Sequence, residues 1–399
     1  MTQTSQVLAG AAARRITPEL GEQPVYLAGF GRNRVATDVH RDLMVRAMAL
    51  KLGDDTFVLA VCDLTGLGRP DVLKIRELAQ ARGVAPDSLV VACTHTHSGS
   101  DTLGLWGPDA RTSGRDEAYI TTLRETIADA AAAAVDELQP ASLYAARGAL
   151  VGWLRNARDP DILDRDLLVL RAETADGAPL FTLMNLACHP EVLWNDSTLL
   201  SPDYAGVACA ALDVDGGMAI LAVGALGGMM TPDVPDHSVE TVEAMGEAVA
   251  QRARELLHGA QPIAVDALSF VRQEVPLPLE TPLLQAALEA GLLSRPGGGA
   301  GERVSEVGVA TLGAVRMATA PGELLPRVGF DVKALLDCPY PFLIGLADDE
   351  IGYVLPQDEF QLPEDPYNSG EHYEETMSLG PETAPRLLAA WQALLGRNP

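Results

Sequence analysis

Two histidines that lie two residues apart follow a short apolar run. The run Leu89–Cys93 is typical of a buried strand, and the segment Thr94-His95-Thr96-His97-Ser98-Gly99 comes directly after it. Side chains of a strand alternate between its two faces, so His95 and His97 would lie side by side if the extended geometry continued. The chain has only seven histidines. Two of them at the end of one strand point to metal chemistry.

A His-x-His pair by itself is compatible with several metal-dependent folds. Metallo-β-lactamase folds place an Asp and a further His directly after the pair, whereas Ser98–Asp101 contains no histidine. Barrel amidohydrolases usually add later histidines and often a modified lysine, and this chain has only three lysines, Lys51, Lys74 and Lys333. The sequence fits both classes poorly.

Composition indicates a globular protein with a large core and narrows the choice of partners. Of 399 residues, 47% are hydrophobic and 21% are charged, and no apolar run is long enough to span a bilayer. The formal net charge of −26 repels phosphate backbones and anionic headgroups. We therefore expect a small-molecule substrate, no nucleic-acid partner and no stable membrane insertion, while the oligomeric state stays open.

The N-terminus and the cysteines bear on location and redox state. Met1–Leu20 shows neither a basic start with an apolar core nor an arginine-rich amphipathic pattern, so we expect a cytoplasmic protein. Cys62, Cys93 and Cys188 lie inside apolar runs, and no Cys-x-x-Cys pair occurs. They are expected to be core side chains and not disulfide partners.

Strand-like and helix-like segments alternate along the chain. Strands are predicted over Val39–Leu52, Thr56–Cys62, Leu89–Cys93, Ser142–Leu150, Asp166–Arg171, Leu180–Ala187, Met218–Val223, Ile263–Val275, Val307–Thr319 and Phe342–Leu346. Helices are predicted over Pro70–Arg82, Asp116–Leu138, Tyr204–Leu212, Val239–Leu257, Glu323–Leu336 and Ala384–Leu395. This pattern predicts the α/β class, with a mixed β-sheet core layered with helices. We predict a single domain over residues 1–399, with a flexible loop at the Gly-rich segment 296–302.

Several separated segments together resemble the catalytic N-terminal domain of the neutral, non-lysosomal ceramidase family. They occur in the family's order, cover most of the chain, and are Ala28-Gly29-Phe30, Leu43-x-x-Arg46-Ala47, Thr94-His95-Thr96-His97-Ser98-Gly99, Asn185-x-x-Cys188-His189-Pro190, Ser201-x-Asp203-Tyr204-x-Gly206, Pro321-Gly322-Glu323 and Ile351-Gly352-Tyr353. The segment around the two histidines is the most specific. The resemblance implies the ceramidase catalytic-domain fold, without the C-terminal immunoglobulin-like β-sandwich that larger members carry.

The resemblance also implies a zinc site. Residue by residue, it assigns the zinc ligands as His95, His189, Glu323 and Tyr353. It places His97 nearby as a group that polarises the substrate or handles a proton. Imidazole and carboxylate are ordinary zinc ligands, and a catalytic zinc keeps one position open. A phenol, with a pKa near ~10, binds well only where the ion's charge favours the phenolate, so Tyr353 is the unusual member.

The position of the family's nucleophile holds a threonine in this chain. The segment Gly227–Asp233 reads Gly-Gly-Met-Met-Thr-Pro-Asp, and Thr231 stands where the resemblance implies a Ser or Asn before proline. The extra methyl group stiffens χ1 and crowds the approach of a hydroxyl nucleophile. A zinc-activated water that attacks the amide carbonyl is therefore the alternative to Thr231.

Four further side chains are candidates for supporting roles. The family places an arginine near the substrate carbonyl, and Arg155 and Arg158 both match imperfectly, so the choice stays open. Either could instead pair with a neighbouring aspartate on the surface. Asp203 and, more weakly, Asp63 are candidates for orienting a ligand histidine. For both aspartates, a turn or capping role is the alternative.

The resemblance thus implies a zinc-dependent amidohydrolase that cleaves a linear N-acyl amide, ceramide-like or smaller. Two alternatives stay open. The first is a metal-dependent esterase or lactonase on the same scaffold. The second is a homologue that binds an acyl ligand without turnover, because Thr231 and Met229 replace the usual residues.

Overall fold

The computed structural model describes residues 6–289 and 301–396. The strands are β1 (Leu8–Arg15), β2 (Asp38–Val39), β3 (Met44–Leu52), β4 (Asp55–Cys62), β5 (Leu89–Cys93), β6 (Gln139–Pro140), β7 (Ser142–Ala149), β8 (Leu154–Asn156), β9 (Asp166–Glu173), β10 (Pro179–Leu186), β11 (Leu199–Leu200), β12 (Met218–Val223), β13 (Met230–Pro232), β14 (Pro262–Ile263), β15 (Leu268–Pro278), β16 (Glu302–Leu312), β17 (Val315–Thr319), β18 (Glu323–Leu324), β19 (Tyr340–Ile344) and β20 (Tyr353–Val354). The α-helices are α1 (Arg69–Gln80), α2 (Glu117–Asp136), α3 (Asp203–Asp213), α4 (Val239–Leu257), α5 (Pro282–Glu289), α6 (Pro326–Leu336), α7 (Tyr373–Thr376) and α8 (Thr383–Leu394).

Two five-stranded sheets form the centre of the molecule. The first has the order β5-β4-β3-β1-β6 and the second β12-β10-β9-β7-β14. Most neighbours are antiparallel, but β4 and β5 pair in parallel, as do β10 and β12. A four-stranded sheet, β15-β16-β17-β19, lies beside them. The predicted α/β class with a mixed sheet core is confirmed.

The alternation of side chains along β3 explains how the layers stack. Val45, Ala47 and Ala49 belong to the apolar cluster that contains the buried residues of α2. Met48 and Leu50, on the opposite face, belong to the cluster that contains the inner faces of β7, β9 and β10. A strand that is apolar on both faces must be covered on both. The two sheets therefore pack face to face, and helices cover the outside.

The carboxyl ends of β5, β10 and β12 are held together by β19 and the segment that follows it. Gly345 donates its amide to Val223 O at 2.8 Å, and Cys93 donates its amide to Leu346 O at 3.1 Å. Asn185 in β10 adds a buried side-chain link, because its Nδ2 donates to Leu343 O and its Oδ1 accepts the Leu343 amide. These bonds fix where each strand ends, and the motif histidines follow directly.

Some predicted elements differ from the structure. The strand predicted over Val39–Leu52 is divided into β2 and β3, because β2 pairs with β11. The strand predicted over Val307–Thr319 is a hairpin, because Gly313 turns the chain with φ +56°. The helix predicted from Glu323 begins only at Pro326, and Glu323 lies in β18. The Gly-rich segment 296–302 lies outside the described residues except for its last two positions.

The described part of the chain contains neither a disulfide bond nor a helix that could span a membrane. All five cysteines are free thiols, and four of them are buried. Their role as core side chains agrees with the prediction. Among the described helices, none combines the length and the apolar character that a bilayer-spanning segment requires.

Candidate metal centre and cavity

The loop after β5 presents His95 through a left-handed backbone. His95 has φ +65°, so the extended geometry expected from β5 stops before it. Its backbone amide donates to Leu64 O at 2.8 Å, and its Nδ1 lies 2.6 Å from Thr65 O. Because a carbonyl can only accept, Nδ1 carries the proton and Nε2 is left as the free nitrogen. The turn therefore selects the tautomer that can bind a cation.

His189 is held in the same way at the end of β10. Its backbone amide donates to Met230 O at 2.8 Å, and its Nδ1 donates to the same oxygen at 2.9 Å. Its Nε2 lies 3.2 Å from Glu323 Oε2, and the Nε2 of His95 lies 3.5 Å from that oxygen. Two imidazole nitrogens thus face one carboxylate oxygen. Such a set of donor atoms is suited to a divalent cation.

Glu323 and Tyr353 reach the site from the two-stranded sheet β18-β20. They are direct partners in the parallel ladder. Gly322 has φ +65°, and a Cβ there would lie 2.3 Å from Gly352 O, so glycine at position 322 allows the two segments to approach closely. Tyr353 is buried and lines the same cavity as Glu323 and His95.

His97 completes a cluster of three buried histidines. One ligand nitrogen from each of His95, His97 and His189 lies within 4.8 Å of the others. The Nδ1 of His97 lies 2.9 Å from Glu191 Oε2, without the alignment of a full hydrogen bond. The ring packs edge-on against Phe30, with centroids 4.7 Å apart. A Cβ at Gly29 would lie 2.3 Å from His97 Cγ, so only glycine leaves room for the ring.

Burial and close charges shift the pKa values in this cluster. Burial alone would lower the pKa of His189, but Glu191 and Glu323 raise it to about 9. For His97, burial dominates and lowers the pKa to about 4. Burial would raise the pKa of Glu323, yet His95 and His189 hold it well below its usual range. Without a cation, protons on the imidazoles of His95 and His189 balance the negative charge of the Glu323 carboxylate.

A cavity of about 640 Å³ opens beside the histidines. This volume is typical of a small-molecule site. One wall is largely apolar and includes Leu279, Leu284, Leu288, Met377 and Leu379. Another is aromatic and includes Phe30, Trp106 and Trp194. The cavity therefore accepts a ligand with a substantial apolar part, next to the predicted metal ligands.

Thr231 and Arg155 lie on the strand pair β8-β13 and both line the cavity. They are direct partners in the antiparallel ladder. The Thr231 hydroxyl is buried and lies close to the Glu191 carboxylate, without the geometry of a full hydrogen bond. Arg158 is different, because it is held by ion pairs with Glu374 and Glu375 at 2.6 and 2.8 Å and does not line the cavity. The geometry thus separates the two arginines that the sequence left as alternatives.

In the described part of the chain, neither predicted aspartate forms a hydrogen bond or an ion pair with a histidine. The Asp203 carboxylate is buried and accepts the amides of Val192 and Leu193 at 3.1 and 2.9 Å, which holds the segment after His189. Asp63 accepts the amide of Met44 at 2.9 Å. The prediction that these two carboxylates orient a ligand histidine is therefore wrong. The backbone carbonyls of Thr65 and Met230 take that role, because they accept the Nδ1 protons of His95 and His189.

Two buried acids in the site were not singled out in the sequence. Glu191 faces His97. Burial would raise the pKa of Glu191, but the charges of His189 and His97 outweigh burial and lower this pKa to about 2. Glu350 also lines the cavity, and burial followed by the charge of Glu323 raises its pKa to about 8. The position of Glu191, two residues after a motif histidine, was the available signal. Nothing in the sequence marks Glu350, because its neighbours are also acidic.

Comparison with known proteins gives a clear answer for the fold. No protein-family profile matches the sequence, and no curated protein matches it at a significant level. Among solved structures, neutral ceramidase from Pseudomonas aeruginosa is 19% identical, with a TM-score of 0.80 over 98% of this chain and 74% of that chain. A ceramidase complexed with C2 gives the same identity, coverage and TM-score. The chain therefore has a neutral ceramidase-like fold, as the sequence resemblance predicted.

Proposed function

We propose that the protein is a zinc-dependent amidohydrolase that cleaves a linear N-acyl amide. The observation that carries the proposal is the convergence of two imidazole Nε2 atoms on one carboxylate oxygen at the edge of an apolar cavity. The Nδ1 atoms of His95 and His189 donate hydrogen bonds to backbone carbonyls, so both side chains offer a free Nε2 to a cation beside Glu323. Two nitrogens and a carboxylate are typical of a catalytic zinc site.

The residues that would hold the ion are His95, His189 and Glu323, with Tyr353 as a fourth ligand. A bound zinc ion supplies Lewis-acid chemistry at a carbonyl oxygen. The structure supports zinc over calcium or magnesium, because those ions prefer oxygen ligands. Burial of the phenol and the charge of Glu323 raise the pKa of Tyr353 well above its usual value, so Tyr353 is a neutral phenol while no cation is present.

The chain's own groups would bind and orient the substrate. The apolar wall at Leu279, Leu284 and Leu288 would take the acyl part and exclude water from it. The buried Thr231 hydroxyl would take one of two roles. It would attack the acyl carbon, so that the C–N bond breaks, the amine leaves with the hydroxyl proton and water then hydrolyses the acyl ester, or it would donate to the carbonyl oxygen while water attacks. Both roles require the hydroxyl. Glu191 and Phe30 contact the His97 ring from two directions and would hold it next to the reacting carbonyl.

Metal content and hydrolysis together test the proposal. The purified protein should contain about one zinc ion per chain, and a chelator should abolish hydrolysis of N-acyl amides. His189→Ala should lose the zinc. His237→Ala is the matched control, because the Nδ1 of His237 also donates to a backbone carbonyl, Val192 O at 2.9 Å, outside the metal cluster.

Three results would contradict the proposal. Zinc retained at full occupancy in His189→Ala would overturn the ligand assignment. Turnover of acyl esters without turnover of the matching amides would identify an esterase. Tight binding of an N-acyl amide by the fully zinc-loaded protein without any hydrolysis would identify a binding protein.

A further inference from the structure

Three arginines line the cavity, and one of them has no carboxylate partner. Arg115 is paired with Asp71 at 2.8 Å, and Arg303 is paired with Asp349 at 2.5 Å. Within residues 6–289 and 301–396, no side-chain hydrogen bond or ion pair involves Arg155. Its guanidinium is therefore available to a ligand in the cavity.

A shortage of carboxylates does not explain the unpaired arginine. The chain has 55 acidic and 29 basic residues. Arg158, three positions further along, is paired with both Glu374 and Glu375. Arg155 is exposed, lines the cavity and has no carboxylate partner among the described residues.

The strand register places Arg155 next to the proposed reaction centre. Arg155 and Thr231 are direct partners in the antiparallel β8-β13 ladder. Directly opposed residues point to the same face, with Cβ atoms about 5 Å apart. A long arginine side chain that starts from this position can reach the space in front of the Thr231 hydroxyl. A carboxylate attached to the substrate a few bonds from the scissile amide would be within its reach.

We propose that Arg155 determines specificity by binding a carboxylate on the amine part of the substrate, so that the preferred substrates are N-acyl amino acids. This inference rests on the proposed function. In this arrangement the apolar side chains take the acyl chain, and Arg155 takes the charged end of the amine part. The planar guanidinium forms two parallel hydrogen bonds with a carboxylate, which a neutral hydroxyl cannot match.

Two substrates that differ in charge test the inference. N-dodecanoylglycine carries a carboxylate, whereas N-dodecanoylethanolamine has the same acyl chain and a neutral hydroxyl. The measured quantity is the ratio of their kcat/KM values. We expect the wild-type protein to favour the glycine conjugate and Arg155→Gln to lower the ratio roughly 10- to 100-fold, mainly through KM. Arg155→Lys should retain part of the preference.

A control and a binding measurement complete the test. Arg165→Gln removes an exposed arginine that does not line the cavity and should leave the ratio unchanged. Calorimetry on the metal-free protein should show N-dodecanoylglycine bound at least about 10-fold more weakly by Arg155→Gln.

The possible failures are distinguishable. An unchanged ratio in Arg155→Gln overturns the inference and leaves the proposed function intact. Equal losses on both substrates also overturn it, because Arg155 would then act on the carbonyl that the two share. If the zinc-loaded wild-type protein hydrolyses neither substrate nor other N-acyl amides, the proposed function fails, and this inference fails with it.

Discussion

Replacing Gly29 with alanine would displace His97 from the cavity. A Cβ at position 29 would lie 2.3 Å from His97 Cγ and 2.5 Å from its Cδ2. Non-bonded carbons are normally about 3.5–4.0 Å apart, so the ring must move by at least about 1 Å. A shift of about 1 Å in a catalytic group can lower a rate roughly 10²-fold. Gly29 also has φ +97°, and a non-glycine residue there costs about 1–3 kcal/mol.

Gly31 provides a matched control two residues away. It is exposed, and a Cβ there would meet nothing within 4 Å. Urea unfolding and hydrolysis of an N-acyl amide should be measured for both variants. Gly29→Ala should lower the free energy of unfolding by about 1–3 kcal/mol and kcat/KM by roughly 10²-fold, while Gly31→Ala changes neither. A Gly29→Ala protein with wild-type stability and wild-type kcat/KM would refute the role assigned to His97.

Three other variants test separate parts of the structure. Thr231→Val keeps the shape but removes the hydroxyl, so kcat should fall about 10²- to 10³-fold, whereas Thr231→Ser should stay active; an active valine variant would exclude any role for the hydroxyl. Asn185→Leu leaves the buried Leu343 amide and carbonyl unpaired and should cost about 2–5 kcal/mol in urea unfolding, and a loss below about 1 kcal/mol would contradict this. Burial raises the pKa of Asp63 to about 6, above its unfolded value, so its ionisation destabilises the fold as the pH rises from about 4 to 7. The free-energy advantage of Asp63→Asn over the wild-type protein should therefore grow by roughly 2–3 kcal/mol over that range, and a pH-independent difference would show that Asp63 is not buried as described.

The class of the fold could be predicted from the sequence because hydrophobic runs report burial directly. The five residues of β5 are all buried, as their uninterrupted apolar run predicts. The same signal cannot show where a continuous apolar run turns back on itself, so the hairpin at Gly313 was read as one strand. It also cannot show that two sheets stack, because burial on both faces of β3 is equally expected beneath two layers of helices.

Prediction of the site depended on motifs, and local patterns alone did not suffice. His95 and His97 do lie together, with ring centroids 5.0 Å apart, but through a left-handed turn and not through a continued strand. Glu323 was expected in the first turn of a helix, whereas it lies in β18 beside Tyr353. Partners that come from distant segments, such as Thr65 O for His95, depend on tertiary structure and leave no local trace in the sequence. The metal, the substrate and the location of the protein stay predictions.

The most direct test of the account is an anomalous-diffraction map of crystals, recorded at the zinc absorption edge. The account predicts one strong peak about 2.0–2.2 Å from the Nε2 atoms of His95 and His189 and from a carboxylate oxygen of Glu323. A peak at any other position, or a zinc-loaded and active protein with no peak between these three side chains, would contradict it.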